Sequence, residues 1–254
     1  MEVHAHSHTA ADPDIHRGRK KWTHYFWEFL MLFLAVFAGF LAENQREHYV
    51  EHQREKQYIR SLISDVKTDT ANITRWMASF SKCQKSCDTV LDNFDSFSKN
   101  YSIKTWRNYR NVIDGFPDFI YTDRTMQQLK NSGGMRLIRN TGATDSIIGY
   151  DAAVRDILIE ETGISSYWDQ LNDLTNKMIS NQKIVSTFKI KSAGEIEKQK
   201  INFWIKQDER EFEHLYNLLY KYRGTVTGYN SLLGMLQNRG ERLIDFLQKE
   251  YDME

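Results

Sequence analysis

The sequence predicts an all-α protein, and three observations support this prediction. The 254 residues include only two prolines, which break helices by removing a backbone donor. Apolar residues recur at alternating gaps of three and four over three long stretches, the spacing of helices packed along their length. A further stretch near the N-terminus is almost wholly apolar and, as a helix, long enough to cross a bilayer.

The apolar stretch runs from Trp22 to Ala42 and reads WTHYFWEFLMLFLAVFAGFLA. As a helix, it extends about 31 Å, which matches the thickness of a bilayer core. Trp22, Tyr25 and Trp27 lie at the end nearest HRGRKK, where aromatic belts and cytoplasmic basic anchors belong. We therefore expect a transmembrane helix with a cytoplasmic N-terminus, and four basic residues set this topology: Arg17, Arg19, Lys20 and Lys21.

Two other interpretations of this stretch compete. The triplet Val36-Phe37-Ala38 resembles the cleavage site of a signal peptide, but apolar residues continue beyond it. The uncharged run from Phe29 to Ala42 is also short enough for a buried core helix. The flanking tryptophans and the basic cluster favour an uncleaved membrane anchor over both.

The first amphipathic seam starts at Ile59 and ends at Phe97, and Asp69 is its only polar position. No helix breaker falls between Trp22 and Phe97, so the sequence predicts one continuous helix. The charged stretch AENQREHYVEHQREK would then be the solvated collar of a helix that leaves the membrane.

Two later stretches keep the same spacing, Ile147 to Met178 and Phe212 to Leu247. Three long amphipathic helices in one chain can bury their seams against one another, which predicts a long antiparallel helical bundle. An intermolecular coiled coil is the alternative.

The connections between the seams contain shorter elements. We expect a short helix at 123–132, capped by Thr122 or Asp123 and stopped by the glycines of NSGG, and a turn at 135–139. Short alternations of apolar residues allow a small β-hairpin within 184–206. The predicted layout is a His-rich basic tail at 1–21, a span at 22–42, a collar at 43–58 and a bundle at 59–254.

Ionisable residues supply two candidate sites. His48 and His52 lie one helical turn apart, on the helix face that continues as the first seam, and could hold part of a metal site, with a partner chain supplying the remaining ligands. The alternatives are a pH-responsive or merely hydrated collar. Glu28 lies inside the predicted span, where it could carry a proton or pair with His24.

Small residues in the span suggest contacts between helices. Ala35 and Gly39, and Ala38 and Ala42, are each spaced four apart, which lets helix backbones approach closely in a membrane. Self-association is therefore expected.

Composition argues against several function classes. Basic and acidic side chains balance at 34 each, and no basic stripe with interleaved aromatics suggests nucleic acid. No GxSxG, HExxH or GxGxxG motif occurs, so we expect no enzyme activity, no cofactor and no small-molecule substrate. The two cysteines, Cys83 and Cys87, fall on the first seam and are expected to be core residues.

The span, its collar and the segment YTDRTMQQLKNSGGMRLIRN followed by DSIIGYDAAV resemble an uncharacterised family of short single-pass inner-membrane proteins of Gram-negative bacteria. The resemblance implies an inner-membrane anchor with a helical periplasmic domain, and it implies no catalytic residues.

The sequence therefore predicts a structural or interaction protein, anchored in the bilayer, that presents a helical bundle to a membrane-complex partner or to further copies of itself. The alternative is a membrane sensor or energy-coupled subunit that uses Glu28 or the His48/His52 collar.

Overall fold

The structure, a computed structural model, describes residues 22–115, 119–190, 195 and 200–253. The chain divides into two compact units, Met1–His52 and Gln53–Glu254. Within the described residues the fold is all-α apart from one two-stranded sheet, which confirms the predicted fold class.

The described residues form seven α-helices, some long and some short, together with one 3-10 turn and two short strands. The helices are α1 (Trp22–Asp92), α2 (Phe94–Lys99), α3 (Ile103–Ile113), α4 (Arg124–Asn131), α5 (Thr141–Met178), α6 (Asn181–Ile190) and α7 (Glu209–Glu250). The 3-10 turn is Gly134–Leu137, and the strands are β1 (Tyr101–Ser102) and β2 (Lys200–Ile201).

The first helix ends earlier than its seam predicts. It stops at Asp92, and Asn93 has φ −113° and ψ 21°, outside the helical range, before α2 begins. The Asn93 side chain donates to the carbonyl of Thr89 at 2.8 Å. Asparagine competes in this way with the backbone bonds of a helix, so the predicted continuous helix to Phe97 is wrong over its last turn. Phe97 nevertheless stays fully buried.

The three predicted seams form the core of the Gln53–Glu254 unit. Every apolar seam position from Ile59 onwards is buried or half-buried, and twelve seam residues have no exposed surface at all. These twelve are Ile59, Ile73, Cys87, Val90, Phe97, Ile147, Val154 and Leu171 on the first two seams, and Leu215, Leu219, Val226 and Leu247 on the third.

Contacts along α1 and α7 show that the two helices run in opposite directions. Asp88, late in α1, pairs with Arg223, early in α7, at 2.7 Å. Thr74, earlier in α1, accepts a hydrogen bond from Gln237, later in α7, at 2.8 Å. The same order continues to Gly240, where an added Cβ would meet the Thr70 methyl group at 2.9 Å.

Helix α5 also runs opposite to α7 and therefore parallel to α1. Asn140, the N-cap of α5, donates to Glu250, the last residue of α7, at 2.6 Å. The Tyr150 hydroxyl on α5 donates to Asp69 on α1 at 3.2 Å, which sets these two residues at one level.

Because α1 and α5 are parallel, the chain between them must return along the length of both. The return segment, residues 93–140, contains α2, α3, β1, α4 and the 3-10 turn. The backbone N–H of Thr122 reaches Asp69, and that of Arg139 reaches Glu55, so the segment descends along α1. The first two seams are therefore connected by a segment of short elements that runs back along α1.

Two predictions within the return segment are confirmed. Helix α4 occupies Arg124–Asn131, inside the expected 123–132, and the 3-10 turn covers most of the expected turn. Gly133 has φ +67°, a left-handed conformation that favours glycine and stops α4.

The predicted hairpin within 184–206 is wrong. Residues 184–190 belong to α6, and β2 pairs instead with β1, Tyr101 opposite Ile201, in antiparallel register. The spacing of Ile184 and Phe188 fits one helical turn as well as it fits strand alternation, so a short run could not decide. The Trp204 indole then donates to the Phe97 carbonyl at 3.1 Å and fixes this connection on the core.

Candidate functional site: an apolar helix surface and a set of buried carboxylates

The start of α1 presents an unusually apolar surface. Except for the half-buried Leu30, the large apolar side chains from Trp22 to Leu41 are exposed, from 46% at Leu41 to 84% at Trp22. By length and composition, α1 is the one helix in the described part of the chain that could cross a membrane, and none of its apolar window is buried. An exposed apolar patch of this extent needs an apolar environment.

His24 and Glu28, the predicted ionisable pair, are brought together. The His24 Nε2 atom lies 2.9 Å from a Glu28 carboxylate oxygen, and both side chains are about half exposed, at 50% and 48%. One helical turn separates the two residues, which suits such a pair. The geometry therefore gives Glu28 a local partner on its own helix.

The small residues of the span share a surface that no described side chain covers. Ala35, Ala38, Gly39 and Ala42 are all exposed. A Cβ added at Gly39 would meet no heavy atom within 4 Å. Phe29, Phe33 and Phe37 stack on another face of the same helix. The small face thus remains open to a second helix.

The two histidines of the collar lie on helical turns of α1 that face solvent, whereas Glu55, in the same collar, is buried. His48 and His52 are exposed, and the His48 Nδ1 atom lies 4.0 Å from Glu51. Over the described residues, no group of three or more His, Cys, Asp or Glu side chains could hold a metal ion. The metal site stays a prediction that needs ligands from a second chain. Arg17, Arg19, Lys20 and Lys21 lie outside the described residues.

The Gln53–Glu254 unit contains buried carboxylates that hold the return segment. Asp65 is 2% exposed and accepts from the Thr125 backbone N–H at 3.1 Å and from the Thr125 hydroxyl at 2.5 Å. Its other oxygen binds the Arg124 guanidinium at 2.5 Å. Asp65 therefore caps the start of α4 from a neighbouring helix, and the adjacent Asp123 makes no side-chain cap bond.

Asp69, one helical turn after Asp65 on α1, and Glu55, about three turns before it, also accept hydrogen bonds from backbone N–H groups of the return segment. Asp69 is 1% exposed and accepts from the Thr122 N–H at 2.7 Å and from the Tyr150 hydroxyl at 3.2 Å. Glu55 accepts from the Arg139 N–H at 2.9 Å and from the Tyr251 hydroxyl at 2.7 Å. Each of these carboxylates joins the return segment to a third element.

Helix α5 supplies two further carboxylates to the return segment. Asp151, which is buried, binds the Lys130 ammonium at 2.7 Å and also pairs with Arg155 one turn along α5. Glu161 accepts from the Phe119 N–H at 2.5 Å. Three buried carboxylates of α1 and the half-buried Glu161 of α5 thus accept from backbone N–H groups of the return segment.

Burial raises the pKa of two groups in this cluster, Asp69 and Tyr150. Desolvation raises the pKa of Asp69 above its usual range, and hydrogen bonds from Thr122 and Tyr150 oppose that rise. Burial next to Asp69 also raises the pKa of Tyr150, which keeps its hydroxyl protonated and donating. The geometry suits structural links between the return segment and the long helices.

The sequence indicated only part of this arrangement. Asp69 stood out as the single polar position on the first seam, and Asp65 lies one turn before it. Asp65 and Asp151 were not singled out, because isolated acidic residues on an amphipathic helix normally face water. The cap-like pair Thr122 and Asp123 was the only local signal of the contact.

The two cysteines are packed between α1 and α7. Both are free thiols, with Cys87 buried and Cys83 half-buried at 4.0 Å from the Tyr222 hydroxyl. A hydrogen bond with Cys87 lowers the pKa of Cys83, and the same contact raises that of Cys87. The prediction that they are core residues is confirmed.

No family model matches the chain, and neither the curated proteins nor the solved structures include a significant match.

Proposed function

We propose that the protein is a single-pass membrane anchor whose Gln53–Glu254 unit is an antiparallel helical bundle that binds a membrane-complex partner or further copies of the chain. The observation that supports this most directly is the exposed apolar surface from Trp22 to Leu41. A chain that buries three full seams elsewhere leaves this one apolar stretch to its surroundings.

The orientation follows from charge. Arg17, Arg19, Lys20 and Lys21 precede the span, so the N-terminus lies in the cytoplasm and the bundle lies on the other side. The resemblance to Gram-negative single-pass proteins makes that side the periplasm and the membrane the inner one.

An interaction role fits the ties within the bundle. Buried carboxylates such as Asp65 hold the return segment in place. The bundle therefore offers a fixed surface for binding, and we propose no enzyme activity.

Protease protection in right-side-out spheroplasts tests the topology. We expect external protease to digest the bundle and to spare an epitope fused before residue 22. Protection of both ends would contradict the proposal, and so would release of the full-length chain from membranes by an alkaline carbonate wash.

Purification in mild detergent tests the interaction role. We expect a mass above that of one chain, or a stoichiometric co-purifying membrane protein. A monomer without any partner at cellular concentrations would contradict this role.

The contact of His24 with Glu28 favours one alternative, an energy-coupled or sensing subunit. In that case Glu28→Gln would abolish complementation of a deletion strain while protein level and assembly stay normal. Glu43→Gln, an exposed change outside the span, is the matched control. A collar that binds metal would be stabilised by zinc, and His48→Ala would remove that stabilisation.

A further inference from the structure

The outer surface of α1 carries charge of only one sign over most of the bundle. From Gln53 to Lys85 the helix has three acidic residues, Glu55, Asp65 and Asp69, and all three are buried. The cations are outside. We define the basic stripe by five exposed residues: Arg60, Lys67, Arg75, Lys82 and Lys85.

The basic stripe follows one helix face. At about 100° per residue, its five members fall within an arc of roughly 80°. Small residues alternate with the cations along that arc, and they are Ser64, Ala71 and Ala78. The stripe borders a groove of about 640 Å³, which Met253 also lines. Another backbone can approach here without displacing large side chains.

Within the described chain, no carboxylate pairs with four of these cations, Arg60, Lys67, Lys82 and Lys85. Arg75 donates to the amide oxygen of Asn72 on the same helix. The nearby acidic residues of α1 are committed to the return segment instead. The stripe therefore presents an uncompensated positive surface.

Helix α5 carries the complementary surface. We define the acidic face by Asp145, Asp156 and Glu160, which are exposed, and by two isoleucines of the same arc. Ile148 is 50% exposed and Ile159 is 69% exposed.

Small residues also open the acidic face to contact. Added Cβ atoms at Gly149 and Gly163 would meet nothing within 4 Å. Three arginines border the face, and each makes a contact of its own: Arg155 pairs with Asp151, Arg239 donates to the Gly149 carbonyl, and Arg242 donates to the Asn238 carbonyl.

The two surfaces match in height. Asp69 on α1 lies level with Tyr150 on α5. Arg75 and Asp156 each lie six residues beyond those levels, so they stand at one height. Glu160 falls between the heights of Arg75 and Lys82 by the same count. Copies that stand side by side in one orientation would bring these charges together.

We propose that the basic stripe of one copy binds the acidic face of α5 on a second copy. This rests on the proposed membrane anchor, because anchored copies share one orientation, and α1 and α5 are parallel. The contact joins two different surfaces, so each added copy leaves one of each open. Rows or closed rings larger than dimers follow.

The full-length chain in mild detergent provides the test, with mass measured by light scattering over a dilution series. We expect Arg60→Glu with Arg75→Glu to weaken association about tenfold or more, and Asp156→Lys with Glu160→Lys to do the same. Combining all four changes should restore most of the affinity. Lys221→Glu with Lys249→Glu, two exposed changes on α7, is the matched control and should leave the mass unchanged.

Crosslinking distinguishes this contact from one through the span. Copies with Arg75→Cys mixed with copies with Asp156→Cys should form a disulfide-linked dimer that neither variant forms alone. The wild-type chain, with Cys83 and Cys87 only, supplies the blank. Circular dichroism and the thermal midpoint should match the wild type in every variant.

Several results would overturn the inference while the proposed function survives. One is an oligomer whose mass is changed by neither pair of charge-reversing substitutions. Another is a monomer that captures a separate acidic membrane protein. A third is that charge reversal of the basic stripe abolishes binding to vesicles of anionic lipid and leaves the mass of the oligomer unchanged. Release of the chain by a carbonate wash would instead remove the proposed function itself.

Discussion

Two stretches of α1 place similar apolar side chains in opposite surroundings. Between Trp22 and Ala42 the large apolar residues are mostly more than half exposed, whereas Ile59, Ile73 and Val90 have no exposed surface. Both stretches repeat their apolar residues at helical spacing. The helical spacing of apolar residues thus predicts that this face of the helix is covered, but it does not identify what covers it. In the later stretch, other helices of the same chain do so.

The difference also separates the roles of polar residues. In the later stretch, Asp65 and Asp69 are buried and bind backbone donors of the return segment. In the earlier stretch, Glu28 remains about half exposed and contacts His24. A polar side chain on a helix links two segments only where another segment places unsatisfied hydrogen-bond donors beside it.

A matched pair of leucine substitutions tests this contrast with the largest expected effect. Leu62→Ala removes a side chain that is 2% exposed, and we expect a loss of about 2–5 kcal/mol in unfolding free energy. Leu34→Ala changes a residue that is 47% exposed and should leave the unfolding midpoint of the bundle unchanged. Guanidinium titration in detergent, followed by circular dichroism, measures both. Equal losses would remove the contrast.

Removing a tie should have the next largest effect. Asp65→Ala leaves the Thr125 N–H and hydroxyl buried without an acceptor, so we expect a loss of about 1–3 kcal/mol. Asp123→Ala is the control, because its side chain makes no cap bond with α4. Urea denaturation compares the two. A greater loss of unfolding free energy in the Asp123 variant would show instead that Asp123 caps α4, as the sequence suggested.

The pH dependence of Asp69 should be smaller and has a definite sign. Its pKa is raised in the folded state, so the folded chain binds a proton at a pH where the unfolded chain, with its ordinary value near 3.8, does not. Stability therefore rises as the pH falls through the folded pKa. Relative to Asp69→Asn, the wild type should gain stability between pH 7 and pH 4. Denaturation midpoints at several pH values measure this difference, and a constant difference would contradict it.

The smallest effect is expected at the exposed collar. Arg46 holds the pKa of Glu43 below its usual range through a hydrogen bond and ion pair at 2.5 Å. Both side chains are more than half exposed, so solvent screens the pair. Glu43→Gln should leave the thermal midpoint within experimental error at low and high salt. A salt-dependent drop would show that the collar contributes to stability.

The long helices could be predicted from the sequence because their signal is repeated many times. Val66, Phe80 and Leu236 each occupy a seam position, and each is buried. One misplaced residue hardly changes such a pattern. The boundary at Asn93 was missed because it depends on a single side-chain bond to Thr89.

The return segment and its carboxylates could not be predicted in the same way. The bond between Glu55 and Arg139 joins residues 84 positions apart, and no local pattern encodes that distance. Glu55 even lies within the charged collar stretch, where solvent exposure is the natural expectation. Its burial follows from the parallel direction of α1 and α5, which is a property of the whole fold.

The carboxylate ties also mark four amides that can report on docking. The N–H groups of Phe119, Thr122, Thr125 and Arg139 bond to carboxylate side chains on α1 or α5, and of the four residues only Thr125 lies in a helix, in the first turn of α4. Their hydrogen–deuterium exchange is therefore slowed only while those helices remain in place. Local fraying of α4 and undocking of the entire segment would give different exchange signatures at these positions.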